Sequence, residues 1–144
     1  MRGLTGEQLY DSLRIAAGLP PDRTDLDPLN ATRARKQFAD KFRIERAGTA
    51  QRSILQSLSL MNSALTAGLT DPAQSPVRKV TADAPFLDTK AKVEALYLVA
   101  LGRKPTADES GSAVAHVEKG TAAGKAHADV LWVLLNSSEF GTNH

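Results

Sequence analysis

Val93-Glu-Ala-Leu-Tyr-Leu-Val-Ala-Leu-Gly-Arg-Lys-Pro-Thr106, followed after a polar stretch by Asp129-Val-Leu-Trp-Val-Leu-Leu-Asn-Ser-Ser-Glu-Phe140, decides the fold of this chain. The first segment is an apolar helix that opens at Asp88-Thr89 and stops at Gly102, because glycine takes the left-handed conformation that ends helices. Thr106-Ala-Asp-Glu109 then has the Thr-x-x-Glu spacing of a capping box and starts a new helix reaching about Lys119. Gly120 to Gly124 reads as a turn. The next helix, about Lys125 to Leu135, is apolar all round at 130–135 and should be the central buried element. Asn136-Ser-Ser-Glu139 caps a final short turn that carries Phe140.

Working outward, the N-terminal half is helical as well. Thr5 and Gln8 form a second box, with Leu4 and Leu9 placed as a hydrophobic staple, and that helix runs to Gly18. Residues 19–29 read as a loop. In a helix from about Asn30 to Arg43, Ala31, Ala34, Phe38 and Phe42 share one stripe, and Arg33, Lys36, Asp40 and Arg43 lie opposite. A further helix over about Ala50 to Met61 has Ile54, Leu58 and Met61 on one face. From about Leu65 to Pro85 the Gly and Pro residues predict a loop or linker. No stretch alternates with period two, so no strand is expected. The expectation is an all-α fold: an orthogonal or irregular bundle of about six helices without a sheet. It forms one domain over 1–144, in which two subunits, 1–62 and 88–144, are joined by the loop 63–87.

Composition removes many functions. With 144 residues and 42% hydrophobic content the chain can bury a core of ordinary size. It has no cysteine, which excludes a disulfide scaffold, a thiol nucleophile, an iron–sulfur cluster and c-type haem attachment. Its start lacks the apolar run of a signal peptide, and its longest apolar run, Val130 to Leu135, is too short to span a bilayer. Net charge is +2; residues 1–79 carry 12 basic against 8 acidic groups, and residues 80–144 carry 6 against 8.

No reactive constellation is readable. His116, His127 and His144 do not form a metal-ligand pattern, and no catalytic, cofactor-binding or metal-binding residue is assigned. Gly120-Thr-Ala-Ala-Gly124-Lys125 is one residue too short for a phosphate loop and has no strand before it. Ser137 and Ser138 lack a base at readable spacing. Trp132, Tyr97, Phe86 and Phe140 are spaced as core or core-edge residues. The basic face of 33–46 leaves Arg33, Lys36 and Arg43 as candidate contacts to phosphate or to an acidic partner, with Arg35 at the edge of the apolar stripe as a structural arginine.

Three segments carry a resemblance: Arg2 to Leu13, Ser53 to Asn62, and Leu96-Tyr-Leu with Gly102-Arg-Lys-Pro-Thr106 and Asp129 to Phe140. Together they resemble the C-terminal part of a large family of uncharacterised bacterial proteins abundant in planctomycetes. Many of those proteins are exported and carry an N-terminal cytochrome-c-like domain, which has no counterpart here. Residues 93–140 are also similar to a short helical module of bacterial surface proteins and phycobilisome linkers. That module has a Leu-Tyr…Leu-Gly-Arg-x-Pro start and an Asn-Ser-x-Glu-Phe end.

The resemblance implies an excised, extracytoplasmic (periplasmic) helical domain that serves structure or protein interaction, without catalysis or cofactor. Its partners would be other domains of a parent chain. A substrate-binding accessory domain of a polysaccharide-handling system is the second reading, and a weak nucleic-acid binder using 33–46 is the third. For the third, Asp40 and Glu45 dilute the basic face, so only feeble, salt-sensitive binding to DNA or RNA is expected. Fluorescence titration checks this; a submicromolar complex abolished by Arg33→Ala with Lys36→Ala would put nucleic acid first.

Overall fold

The computed structural model describes residues 2–16, 28–42, 61, 64–73, 77–122 and 124–143. These residues hold seven helices: α1 (Gly6–Ala16), α2 (Pro28–Phe42), α3 (Ala64–Leu69), α4 (Val77–Thr81), α5 (Thr89–Leu101), α6 (Ala107–Lys119) and α7 (Lys125–Asn136). The fold is all-α. Two strands of two residues each, β1 (Arg2–Gly3) and β2 (Thr142–Asn143), pair antiparallel, and Leu4 N–H donates to Gly141 O at 3.0 Å. This contact clips the two ends of the chain together and is too short to show as a periodic pattern in sequence.

Local chemistry sets the helix boundaries. Thr5 and Gln8 cap α1 reciprocally: Thr5 N–H donates to Gln8 Oε1 at 2.9 Å, and Gln8 N–H to Thr5 Oγ1 at 3.2 Å. Asp88 caps α5 by accepting from Ala91 N–H at 2.7 Å, and Gly102, at φ +68°, ends it by donating to Leu98 O. Gly124 sits at φ +79° as the N-cap of α7, so the glycine-containing turn before it is an inter-helix turn, as its sequence suggests. Ser137 closes α7: its hydroxyl donates to Leu134 O at 2.7 Å and accepts from Phe140 N–H at 3.2 Å, which turns Phe140 inward.

One core cluster gathers Leu9, Leu13 and Ala16 of α1, Val77 and Val80 of α4, Val93, Leu96 and Tyr97 of α5, several α7 residues including Leu131, Leu134 and Leu135, and Phe140. Helix α5 packs on α6 and α7, α4 packs on both α5 and α7, and α1 packs on α2. The α1–α2 pair is held by a tilted Tyr10–Phe38 ring contact at 5.4 Å and by Arg35, which donates to both carboxylate oxygens of Asp11 at 2.9 and 2.7 Å.

Four expectations need correction. The linker over 63–87 contains α3 and α4, and Thr66, Val77 and Val80 are buried. Two valines spaced i, i+3 place one turn of helix face in the core, and this outweighs the neighbouring Pro and Gly signals. That core is shared with α1, α5 and α7, so the two-subunit division at this loop does not describe it. Helix α7 is not buried all round: Val133 is 59% exposed, on the same face as the exposed Lys125 and Asp129. Trp132 is only half-buried and lies outside the core cluster, and Phe86 is 83% exposed in the turn before α5. The helix expected over 50–61 lies outside the described residues apart from Met61, as do Arg43 and His144.

The two faces of α7 differ enough to test. Leu134→Ala, at a position only 5% exposed, should cost about 2–5 kcal/mol, whereas Val133→Ala should stay within about 0.5 kcal/mol. Urea unfolding of both variants measures the difference. Equal losses would mean that Val133 is covered in solution.

Candidate functional site

The densest cluster of charged side chains among the described residues forms where α5 ends, α6 begins and the chain leaves α7. Gly102 lets the chain turn sharply, so Arg103 extends from the end of α5. Thr106 and Glu109 form the capping box of α6: Thr106 N–H donates to Glu109 Oε2 at 2.7 Å, and Glu109 N–H to Thr106 Oγ1 at 3.4 Å. The same Glu109 carboxylate accepts from Arg103 Nη1 at 2.8 Å and Nη2 at 2.9 Å. From the other side, the Ser137 turn presents Glu139, which accepts from Arg103 Nε at 2.6 Å and Nη2 at 2.7 Å. Arg103 Nη1 also donates to Lys104 O at 3.0 Å. The ring of Tyr97 lies 5.8 Å below the guanidinium.

A guanidinium has five N–H donors, and these five bonds use them all. The electrostatics follow from that closure. The Arg103 pKa is raised above its already high ordinary value, first by Glu109 and then by Glu139. Glu109 is lowered to about 2, first by Arg103 and then by Thr106 N–H. The Tyr97 phenol is raised, first by burial and then by the Glu109 charge. A carboxylate held near 2 cannot donate a proton at neutral pH, and a saturated arginine has no donor left for a substrate oxyanion. The cluster is built to hold helices.

Sequence reading did not find it, because Glu139 lies 36 residues from Arg103 and no local spacing links them. The signal was present only in the module-like motif, whose Leu-Gly-Arg-x-Pro start and Asn-Ser-x-Glu-Phe end supply Arg103 and Glu139. The residues singled out from sequence do not converge. Arg33 and Lys36 are exposed on α2, while Arg35 is committed to Asp11. His116 Nε2 lies 3.3 Å from Asp129 Oδ2, an exposed contact between α6 and α7 that sequence reading missed. His127 is half-buried, and its pKa is lowered, first by burial and then by the Lys92 charge. Ser137 is spent on closing α7. No group of three or more His, Asp or Glu residues able to hold a metal ion occurs among the described residues. No described helix is long and apolar enough to cross a membrane.

An open groove of about 450 Å³ runs between α5 and the start of α6, lined by Lys90, Glu94, Lys104, Thr106, Ser110 and Val114 among others. Its Lys104 and Glu94 pair with each other at 2.5 Å, and the capping box already occupies N–H groups at the α6 terminus. Among the described residues no aromatic ring lines it, so these supply no flat apolar platform on which a sugar would stack.

The Glu109 linkage gives a signed pH prediction. Its folded pKa lies below the ordinary value of about 4.3, so its contribution to stability is present above that value and fades as pH falls toward 2. Glu109→Gln keeps a residue suited to the capping box and removes only the charge. The variant should melt below the wild type near neutral pH, and the gap should close as pH approaches 2 and shrink in high salt, since the pair is about one-third exposed. Circular-dichroism melts across that range measure it; a gap independent of pH would refute the role of the charge.

Compared with protein-family models, curated proteins and solved structures, the chain matches none. A functional reading therefore stands on the placement of its own residues.

Proposed function

We propose that this chain is a non-catalytic helical domain serving structure or protein–protein interaction. It would act outside the cytoplasm as the C-terminal part of a larger exported bacterial protein of the kind its sequence resembles. The observation that carries this reading is the closed Arg103 cluster. The residues that make the motif recognisable are used on one another, and a guanidinium with all five donors committed and a carboxylate held near 2 support a structural role over a chemical one.

The surface supports the interaction half of the proposal. Leu98 and Val99 on α5 and Val133 on α7 are large apolar side chains left exposed. Single exposed hydrophobes are ordinary, but these three stand on the two best-packed helices, whose rigid backbones would hold a contact surface in place. The polysaccharide-accessory reading finds less support, because the described residues of the α5–α6 groove offer no stacking ring.

A photo-crosslinking residue at Val99 of the full-length protein, expressed in its own cell, tests the reading. Capture of one defined protein surface, either another domain of the parent or a separate protein, is expected, and Leu98→Asp with Val133→Asp should abolish it. Turnover of a glycoside, ester or phosphoester by the purified chain, lost on Glu139→Gln or His116→Ala, would replace the proposal with an enzymatic one.

A further inference from the structure

The three helices α5, α6 and α7 differ chemically at their two ends. At one end, Arg103 binds Glu109 at the start of α6 and Glu139 just past α7. Toward the other end, near the start of α5 and α7, lie Lys92, His116, His127 and Asp129. His127 is in the first turn of α7, and its Nε2 is sealed from solvent without a hydrogen-bond partner. The charge that acts on it is Lys92 of α5, a like charge to any proton it takes up. On its own helix, Lys125 and Asp129 are exposed, and Asp129 is in contact with His116 of α6. Helix α4, which also packs on α7, carries Arg78 and Lys79; both are exposed, and Arg78 lies 3.7 Å from Asp83.

We propose that the first two turns of α7 are an acid-sensitive joint: protonation of His127 loosens the start of α7 from α5, while Asp129 keeps it on α6 and Arg103 holds the opposite end closed. A protonated His127 carries a sealed N–H without an acceptor, under the like charge of Lys92, and both effects oppose the folded contact. Acid therefore weakens the α5–α7 contact at the start of α7. The Arg103 cluster, whose Glu109 stays ionised down to about 2, keeps the opposite end closed. The sign is fixed by His127: its folded pKa is depressed, so the closed joint is fully stable above the ordinary imidazole value of about 6.5 and loses stability as pH falls below it.

Hydrogen exchange read by NMR, corrected for intrinsic rates, tests this on the full chain at about pH 7.5 and about pH 5.5. Protection of Ala128, whose N–H donates to Gly124 O at 2.9 Å, and of Asp129 and Val130 should fall at the lower pH. Protection of Leu134 and Leu135 should not change. His127→Gln should remove the fall, and Lys92→Gln should reduce it. Equal protection of the wild type at both pH values would overturn the proposal, as would a fall that survives in His127→Gln or that spreads evenly to Leu134 and Leu135.

Discussion

Two carboxylates that approach Arg103 from opposite directions fix how the C-terminal helices meet. Arginine suits this position where lysine would not, since its planar fork can present paired donors to Glu109 and Glu139 at once, and an ammonium is a point charge. Each partner is also held by a local motif of its own. The Thr106 box sets Glu109, the Ser137 turn sets Glu139, and the left-handed Gly102 aims Arg103 itself. Pre-positioned partners lose little side-chain entropy on pairing, which favours a geometry with all five donors committed.

That cluster supplies direction more than energy. Its side chains are about one-third exposed, so water and salt screen it and leave it a small part of the stability. Burying one leucine contributes about 1.5–3 kcal/mol, and Leu13, Leu96, Leu131 and Leu135 are each almost wholly removed from water. The apolar core therefore outweighs the ion pairs in holding the bundle together. The ion pairs select, among the ways three apolar helices could pack, the one that brings the end of α5, the start of α6 and the exit of α7 to a single point. The Arg35–Asp11 pair does the same for α1 and α2, again beside an apolar contact, that of Tyr10 with Phe38.

The same division explains what could be read from sequence. Caps and stops act over three or four residues, so Thr5–Gln8, Asp88, Gly102 and Thr106–Glu109 were legible, and with them the start of α1 and the boundaries of α5 and α6. The core leucines of α5 and α7 were legible because both helices are apolar over most of their circumference. Partnerships over long separations were not: Arg103 with Glu139, Arg35 with Asp11 and His116 with Asp129 leave no local trace. Val133 shows a finer failure. The run 130–135 is continuously apolar, but a helix at the edge of a core still has a solvent face, and the spacing Lys125, Asp129, Val133 marks it more truly than the hydrophobicity of Val133 does. Helix α4 was hidden for a related reason, since a single turn with two buried valines is too short for a period to emerge beside Pro and Gly.

A motif made of residues that bind one another has a consequence for function. Arg103, Thr106, Glu109, Ser137 and Glu139 are tied to a backbone arrangement, so any chain bearing them at these spacings would be expected to share the arrangement whatever it binds. Likeness in such a motif then speaks for how the helices meet and says little about a partner or substrate. What distinguishes one such domain from another must lie on positions free of these constraints: the exposed faces of α5 and α7 with Leu98, Val99 and Val133, and the polar end with His116, His127 and Lys92. The polar end can vary without disturbing the Arg103 cluster, because it lies at the other end of the same three helices. A frame closed at one end and chemically adjustable at the other lets a partner, or a change of pH, act on the second end while the first keeps the fold.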